Sequence, residues 1–459
     1  MEFFKNRRNL VLIILLTAGF MGSLGQSLLT SALPNIMSDF SINATTGQWL
    51  TTIYIVILGL VTCVSAFIIN RHNTKHVFMG ALGLFIIGCI LAFFAPNFNV
   101  LLISRIIQAT GTGILYPLSQ VVILYYFPLE DHGKAFGYMG LVVGAGPAFG
   151  PTFSGFIVDF FDWRAIFSIL SVIAIILFII GSVELKNIKE KYPVKMDFLS
   201  VIMYGLGFTL IMYGVTNAVN IGLGNLLSLP PIIIGLIFLL VFSHRQLHAS
   251  IPLLKLELFK CNVFAASTIV VCLSYILMMS GTLLVPLYIQ SARGLSAITS
   301  GLILLPGSIL HALVNPKAGQ FQDDYGARTS SLLGFVFIII GTLPFVFLNL
   351  NSNLVLITIV YCFRMIGLSF LITPLQAYGV DPFPRSDYSH GTAILNSLRQ
   401  ITGALGTNIL VAIVTFFSLN GNVDCYGINI SFLIQVILML FALVIILKYI
   451  QNDHPSYNQ

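Results

Sequence analysis

Long apolar stretches recur from one end of this sequence to the other, and they constrain its fold more than any other feature. An α-helix needs about 20 apolar residues to cross the hydrocarbon core of a bilayer. Only 8% of the 459 residues are charged, whereas a soluble domain carries about 25%. Stretches such as residues 172–180 are apolar on every face, unlike the alternating strands of a transmembrane β-barrel. The sequence therefore predicts an all-α membrane protein.

The N-terminal stretch raises the question of a secretory signal. It follows Lys5, Arg7 and Arg8 and continues without a charged residue to Pro34. A second apolar stretch begins soon afterwards, so we expect an uncleaved first span rather than a signal peptide.

Glycine, proline, asparagine and charged residues divide the apolar sequence into roughly fourteen spans of membrane length. The predicted spans are residues 10–33, 48–69, 77–95, 100–125, 134–159, 164–183, 197–217, 227–247, 262–291, 297–319, 329–348, 353–379, 391–416 and 429–451. We expect two six-helix bundles, at residues 1–195 and 251–459, with a two-helix segment at 196–250 inserted between them.

Basic residues separate the two sides of this arrangement. If the N-terminus is cytoplasmic, the outward-facing loops and adjoining span ends contain Arg164 and Arg293 as their only basic residues. Arg105, Arg364 and Arg399 lie deeper within spans, and the remainder of the 22 basic residues lie at the inward-facing ends. Positively charged loops stay inside. The sequence therefore predicts a multi-pass protein of the cytoplasmic (inner) cell membrane with both termini in the cytoplasm.

Two segments of the sequence repeat a short pattern. The first copy, after the predicted second span, consists of Ala66, Asn70, Asn73 and Lys75. The second copy lies 253 residues later and consists of Gly319, Asp323, Gly326 and Arg328. A looser echo relates Arg105 to Arg364 and the Pro117-Leu118 pair to Pro374-Leu375. Repeated halves with a substrate site between them are typical of secondary transporters.

Several longer motifs resemble a known family. They are Ala32-Leu33-Pro34, Trp49-Leu50-Thr51-Thr52-x-Tyr54, Arg105-Ile106-Ile107-Gln108-Ala109, Gly146-Pro147-Ala148-Phe149-Gly150-Pro151, Pro286-Leu287-Tyr288-Ile289-Gln290, Arg293-Gly294-Leu295-Ser296, His390-Gly391-Thr392-Ala393 and Leu398-Arg399-Gln400. In order and spacing, the chain resembles the fourteen-span drug:proton antiporters of the major facilitator superfamily, and within them the lincomycin-resistance-type multidrug exporters.

This resemblance implies a major-facilitator fold and a monomeric exporter of amphipathic small molecules that works by alternating access with proton antiport. The chain departs from the family pattern at two places. Ala66, Asn70 and Asn73 stand where the family has glycine and aspartate, and Gln26 stands where members commonly carry an acid. These departures leave open an alternative, an uncoupled facilitator or lipid-like flippase for an endogenous, possibly anionic, solute.

A proton-coupled pump needs a group within the membrane that changes protonation during the cycle. None of the sixteen acidic residues falls near the middle of a predicted span. His311 is the only histidine well inside a span, and its ordinary pKa of about 6.5 suits a proton carrier. Asp159, at the outer end of the fifth span, is a second candidate. The alternatives are a packing histidine that never titrates and an ordinary interfacial acid.

Arg105 lies in the fourth span about 8 Å below its outer boundary, at 1.5 Å per residue. A guanidinium exposed to hydrocarbon would cost at least about 2.5–3.5 kcal/mol. Either the side chain extends to the outer surface, or it organises a polar network with Gln26 and Gln108. Without a neighbouring carboxylate, it could also attract an anionic substrate.

Glycines and prolines crowd the fifth span. Gly146, Pro147, Gly150 and Pro151 allow close helix approach and a bend. The resemblance implies that this segment is the antiporter motif, which favours a gating contact over a purely structural one.

The repeated loops are candidate cytoplasmic gates. The first contains Asn70, Arg71 and Lys75, and the second contains Asp323 and Arg328. These polar groups could pair across helix ends in one conformation and separate in another. Simple positive-inside anchoring is the alternative for Lys75.

The predicted binding surface combines polar and aromatic residues near the middle of spans, because an apolar pocket with a few polar groups suits chemically varied ligands. Its members are Gln26, Tyr54, Arg105, Gln108, Tyr116, Gln120, Tyr288, Gln376, Asn396 and Gln400.

Other classes of function lack their signatures. There is no phosphate-binding G-x-x-x-x-G-K-[ST] loop, no evident catalytic constellation and no recurring filter segment. The paired histidines at 72 and 76 and at 244 and 248 have no acidic residue or cysteine nearby, and the six cysteines form no CxxC pair. We expect no enzyme activity, cofactor, metal or nucleic-acid partner, but small-molecule substrates, protons and the lipid bilayer.

Overall fold

The computed structural model describes residues 2–42, 44–185, 197–221, 224–249, 252–417 and 425–452, and within helix α6 it leaves the side chains of Pro147, Pro151 and Asp159 outside the description. Over these ranges the chain forms helices and turns without a strand. The α-helices are α1 (Glu2–Ser27), α2 (Leu29–Asp39), α3 (Ala44–Arg71), α4 (Thr74–Phe93), α5 (Phe98–Tyr126), α6 (His132–Phe160), α7 (Arg164–Glu184), α8 (Phe198–Ile221), α9 (Leu229–His248), α10 (Asn262–Leu287), α11 (Ala297–Tyr325), α12 (Ala327–Thr342), α13 (Leu354–Leu371), α14 (Thr373–Val380), α15 (Tyr388–Phe417) and α16 (Cys425–Tyr449).

The predicted helical membrane architecture is confirmed at the level of the spans. Among the described residues, 13 helices are long and apolar enough to cross a membrane. The predicted span 134–159 coincides with α6 (His132–Phe160), which is not one of the 13. The fourteen-span arrangement therefore stays a prediction.

Proline acts differently at two repeat-related positions. Pro117 lies inside the continuous helix α5, whereas α13 ends at Leu371 and α14 begins at Thr373 with Pro374 in its first turn. Proline has no N–H to donate within a helix, but the first helical turn does not need that donor. The first repeat thus keeps one long helix where the second is broken in two.

The chain divides into two compact units. Unit 1 comprises residues 1–128, 142–196 and 385–393, and unit 2 comprises residues 129–141, 197–384 and 394–459. A core of buried aliphatic and aromatic side chains from α1, α3, α4, α5 and α7 fills unit 1. The predicted domain borders at 195 and 250 fall outside the described residues and stay predictions.

Within unit 2, α8 and α9 pack closely against each other. A Cβ at Gly207 would lie 3.0 Å from the Gly235 carbonyl oxygen, and a Cβ at Gly235 would lie 2.7 Å from that of Gly207. Small residues let membrane helices approach in this way without a hydrophobic driving force between them. At the end of this pair, Arg245 Nε donates to the Asp197 carboxylate at 2.7 Å.

Candidate functional site

A buried guanidinium organises the interior of unit 1. Arg105 is 1% exposed, so its side chain does not extend to the surface. It donates to the carbonyls of Leu50 and Gly25 at 3.3 and 2.7 Å and to the side chain of Gln108 at 2.8 Å. These contacts tie α5 to α1 and α3. The structure therefore brings Arg105 and Gln108 together, and it places the Gly25 carbonyl, rather than the Gln26 side chain, on the guanidinium.

Tyr54 completes this polar cluster. Its ring centroid lies 4.1 Å from Arg105 Cζ, a favourable cation–π geometry. Its hydroxyl donates to the Gly22 carbonyl at 3.2 Å and lies 2.9 Å from the Thr112 hydroxyl. Thr112 lies on the same helix as Arg105 and Gln108 and was not among the predicted site residues. A threonine inside an otherwise apolar span gave too weak a signal to single it out.

The described hydrogen bonds of Arg105 go to carbonyl and amide oxygens rather than to a carboxylate. The cation is therefore stabilised by dipoles and an aromatic face, without a counter-ion among these contacts. Such a centre retains net positive charge in a region of low polarity, where it acts strongly on any nearby anion or dipole.

Unit 2 contains a second buried guanidinium at the repeat-related position. Arg364 on α13 donates to the Leu277 carbonyl at 2.6 Å, to the Thr342 hydroxyl at 3.0 Å and to the Gln435 side chain at 2.5 Å. Its Cζ lies 5.6 Å from the centroid of Phe432. This arginine ties four helices together, α10, α12, α13 and α16.

His311 is buried on α11 within unit 2. Its Nδ1 lies 3.1 Å from the Met365 carbonyl oxygen and 2.9 Å from the Ser369 hydroxyl. The Ser369 hydroxyl oxygen also lies 3.1 Å from each of the carbonyl oxygens of His311 and Met365, which are alternative acceptors for its single hydrogen. One turn further on, Asn315 accepts a hydrogen bond from Thr373 at 2.9 Å. A polar ladder thus joins α11 to α13 and α14.

The remaining predicted binding residues are distributed over both units. Gln400 accepts from the Tyr275 hydroxyl at 3.0 Å, and Arg399 Cζ lies 4.8 Å from the Tyr275 ring centroid. Tyr288 donates to the Asn349 carbonyl at 2.6 Å, which holds a helix end in place. Gln120, Gln376 and Asn396 are buried, whereas Gln26 and Tyr116 are half-buried.

The glycine-rich segment of α6 packs directly on α1. A side chain at Gly146 or Gly150 would collide with Ser23 or Ser27, respectively. The Ser27 hydroxyl donates to the Gly146 carbonyl at 3.0 Å. The two helices therefore meet through backbone and serine side chains, and the prolines of this segment have side chains outside the described residues.

Asp159, the second candidate proton carrier, also has its side chain outside the described residues. Nearby in the sequence, Arg164 forms ion pairs with Asp39 at 2.8 Å and with Asp162 at 3.1 Å. The hydrogen bond from Arg164 lowers the pKa of the Asp39 carboxyl.

Asn70, in the first predicted gate loop, contacts the start of α15 within unit 1. It accepts from the Ser389 hydroxyl at 2.5 Å, and its Nδ2 lies 3.1 Å from His390 Nε2. Arg71 is exposed and stacks over Phe67 with 5.6 Å between Cζ and the ring centroid, whereas Lys75 is half-buried.

Asp323, in the second predicted gate loop, contacts the start of α6 within unit 2. Its carboxylate accepts from the backbone N–H groups of Gly133 and Lys134 at 2.9 and 2.7 Å. Arg328 is exposed. The partial positive charge at a helix N-terminus favours an anion in this position.

A buried histidine–aspartate contact beside this one was not predicted from the sequence. His132 Nδ1 lies 2.6 Å from Asp381 Oδ1, and their side chains are 3% and 6% exposed. The two residues are 249 positions apart, so spacing along the chain could not reveal the pair.

Comparison with known proteins agrees with these motifs. The family model of the Major Facilitator Superfamily matches residues 15–407. The chain is 34% identical over 458 residues to the uncharacterized MFS-type transporter YcnB of Bacillus subtilis (strain 168), covering 98% of this chain and 97% of that protein. It is 38% identical over 407 residues to the lincomycin resistance protein LmrB of the same strain, covering 88% and 85%.

A more distant relative is the riboflavin transporter RibZ of Clostridioides difficile (strain 630), 28% identical over 401 residues, with 87% and 86% covered. Among solved structures, the human organic anion transporter MFSD10 (TETRAN) superposes with a TM-score of 0.67 at 12% identity, covering 96% of this chain and 99% of that one. This last likeness concerns the fold alone. The family match and the lincomycin resistance relative confirm the resemblance inferred from the motifs.

Proposed function

This chain belongs to the Major Facilitator Superfamily and is a multi-pass membrane transporter, and from that premise we propose that it exports amphipathic small molecules across the cytoplasmic membrane. The observation that carries the proposal is its 38% identity to a lincomycin resistance protein over 88% of the chain. Amphipathic molecules are partly apolar and partly polar, and the chain has side chains suited to both.

The polar cluster in unit 1 supports this substrate class. Arg105, Gln108 and Tyr54 form a connected set of donors and aromatic surface inside an otherwise apolar bundle. Buried groups of this kind orient a ligand, while apolar surroundings accept varied shapes. In unit 1, we propose that this cluster and Gln26, Tyr116 and Gln120 recognise substrate. In unit 2, considered by itself, the candidate residues are Gln376, Asn396 and Gln400.

We further propose that export is coupled to proton antiport and proceeds by alternating access. His311 and Asp159 are the candidate carriers. His311 has a neighbouring hydroxyl and carbonyl that fix its ring orientation, as a proton relay requires. The contacts of Asn70 and Asp323 and the close packing of Gly146 on α1 are candidates for interactions that form and break during the cycle.

A specific observation favours a second candidate, an uncoupled facilitator for an anionic solute. Arg105 and Arg364 are both buried, and their described hydrogen bonds go to uncharged groups. Two such cations attract anions and repel lipophilic cations.

The test is export of dyes from cells that express the chain, with cationic and anionic dyes measured in parallel, with and without a protonophore. Cationic-dye export that stops when the proton gradient collapses supports the antiporter. Export that persists, with a preference for anions, supports the facilitator and contradicts the coupling proposal.

The carrier is then identified from pH profiles of export between about pH 5.5 and 8, which brackets the ordinary histidine pKa. His311→Ala or Asp159→Asn is expected to flatten the profile at normal membrane levels. His244→Ala is the matched control because that histidine is exposed at the end of α9. If both candidate variants keep the wild-type profile, neither residue carries the proton.

A further inference from the structure

A groove opens between α3, α4 and α5 at one end of unit 1. Its volume is about 380 Å³. It is lined by Ile68, His72, His76, Val77, Gly80, Ala81, Leu84 and Ile114. None of the predicted site residues lies in it, so the proposed function leaves this groove unexplained.

The walls of the groove are apolar and leave room for a slender ligand. Ile68, Val77, Leu84 and Ile114 supply branched aliphatic side chains from all three helices. Gly80 is exposed, and no atom lies within 4 Å of the position that a Cβ there would occupy. An alkyl chain fits such a space, since it makes only dispersion contacts and needs no hydrogen-bond partner.

The mouth of the groove is basic. His72 directly follows the last residue of α3, and His76 lies in the first turn of α4. Both side chains are exposed. Arg71 and Lys75 flank them, and the segment from 70 to 76 contains no acidic residue. Two histidine side chains therefore lie at one end of an apolar groove, with Arg71 and Lys75 beside them in the sequence, between the candidate spans Trp49–Arg71 and Thr74–Phe93.

We infer that this groove binds an anionic phospholipid, with one acyl chain between α3 and α4 and the phosphate at His72 and His76. Basic pockets between membrane helices at the cytoplasmic surface recognise anionic headgroups through this combination of charges. A soluble anion would leave the apolar part of the groove empty, and a zwitterionic lipid would gain little from the cationic mouth. This inference goes beyond the proposed function, because it holds for any solute that the protein carries.

The experiment measures lipid retained by the purified full-length chain. Detergent-purified protein is incubated with dioleoyl phosphatidylglycerol or dioleoyl phosphatidylcholine, and bound lipid is counted by native mass spectrometry. The wild type is expected to retain at least about fivefold more phosphatidylglycerol, the size of effect that one basic group near an anionic lipid provides. Equal retention of the two lipids would overturn the inference.

Two variants localise the site. Gly80→Phe places a ring in the open space, and the double variant H72A/H76A removes the donors from the mouth. Each is expected to lose most of the phosphatidylglycerol preference. The matched controls are H244A/H248A, which removes the other exposed histidine pair at a helix end, and Gly301→Phe, where a side chain also meets no atom within 4 Å. Retention that is unchanged in both test variants, or lost equally in the controls, would contradict the assignment.

A final arm separates a lipid from a free headgroup. Glycerol 1-phosphate is added in large excess over phosphatidylglycerol. A site that needs the acyl chain is expected to keep the lipid. Full displacement, together with undiminished binding by Gly80→Phe, would show an anion site at the histidines alone and would overturn the lipid proposal. Dye export measured in parallel separates a failure here from a failure of the proposed transport function.

Discussion

In unit 1 the Asn70 amide contacts the hydroxyl of Ser389 and the ring of His390, whereas in unit 2 the Asp323 carboxylate, 253 residues later, accepts from two backbone N–H groups at the start of α6. The first contact involves no carboxylate. The second is charge-assisted and lies at the positive end of a helix dipole. Hydrogen bonds of the second kind are roughly twice as strong, so the two halves of the repeat hold their loops unequally.

The buried arginines show a related difference. Arg105 donates to one carbonyl on α1, one carbonyl on α3 and the side chain of Gln108 on its own helix. Arg364 donates to groups on three other helices. Arg364 therefore joins four helices, whereas Arg105 joins three and is also part of the buried polar cluster with Gln108 and Tyr54. The two arginines occupy related positions in the repeat, but they contact different neighbours and therefore have different roles.

The largest effect is expected from removing Arg364, the junction of four helices. Arg364→Ala removes one donor from the Leu277 carbonyl, which keeps the Ser280 hydroxyl, and leaves the Thr342 hydroxyl and the Gln435 side chain without their described donor. We expect a loss of about 2–4 kcal/mol in the free energy of unfolding, because each buried polar group left unpaired costs about 1–3 kcal/mol and partial relaxation offsets some of it. Thermal unfolding in detergent measures this loss.

The matched control is Arg105→Ala. It is expected to lower dye export at normal membrane levels, with a smaller loss of stability than Arg364→Ala. A larger stability loss in Arg105→Ala would break the distinction between a junction and a binding group.

A smaller effect is expected at the charged loop. Asp323→Asn keeps one acceptor oxygen but removes the negative charge beside Gly133 and Lys134. Losing a charge-assisted contact at a helix N-terminus costs about 1–2 kcal/mol, which corresponds to about a tenfold change in a conformational equilibrium. The initial rate of dye export is expected to change by up to that factor. Asp324→Asn, at the exposed neighbouring position, should leave the rate unchanged, and an equal change there would remove the role of Asp323.

Introducing an aspartate in the first predicted gate loop, in place of Asn70, should have a smaller effect on the export rate. In Asn70→Asp, a carboxylate oxygen still accepts from the Ser389 hydroxyl, and His390 donates once Nε2 carries the proton. We expect export within about threefold of wild type, since both contacts survive with a tautomer change and each is worth only about 1 kcal/mol. Asn70→Leu, which can form neither contact, should be clearly slower. Asn73→Asp serves as the control for added charge in the same loop.

The smallest effect is expected at the ion pair of Asp197 and Arg245, in which Arg245 is exposed and the Asp197 side chain is 19% exposed. The hydrogen bond from Arg245 lowers the pKa of Asp197 to about 2. Because the pKa is lowered in the folded state, the ionised Asp197 carboxylate stabilises the fold at pH values above the ordinary carboxyl pKa of 3.8. This stabilisation is lost as the pH falls through about 2. The contribution of this pair to the unfolding temperature should therefore not change with pH between about pH 5 and 8.

Asp197→Asn should change the free energy of unfolding by less than about 1 kcal/mol, the usual value of an exposed pair. A loss in the free energy of unfolding larger than about 1 kcal/mol would contradict this expectation.

The sequence predicted the site residues unevenly. Arg105 and Gln108 were recognisable because an arginine in an apolar span requires hydrogen-bonding partners. The structure brings the two side chains together. Thr112, Asn315 and the His132–Asp381 pair were missed. Hydroxyls, amides and span-end residues are common in membrane helices, and only their partners on other helices distinguish them.

By itself, the sequence determined that the chain is helical, that it crosses a membrane many times, and that it resembles one transporter family. These properties depend on the length of apolar runs and on local motifs, which are read along one segment at a time. Only the tertiary structure decided that Asn70 meets His390, 320 positions away, that α13 breaks where α5 continues, and that a basic-mouthed groove opens beside Gly80. Each of these depends on which helix faces pack together, because side chains on neighbouring helices decide which polar groups are paired and which surfaces stay open.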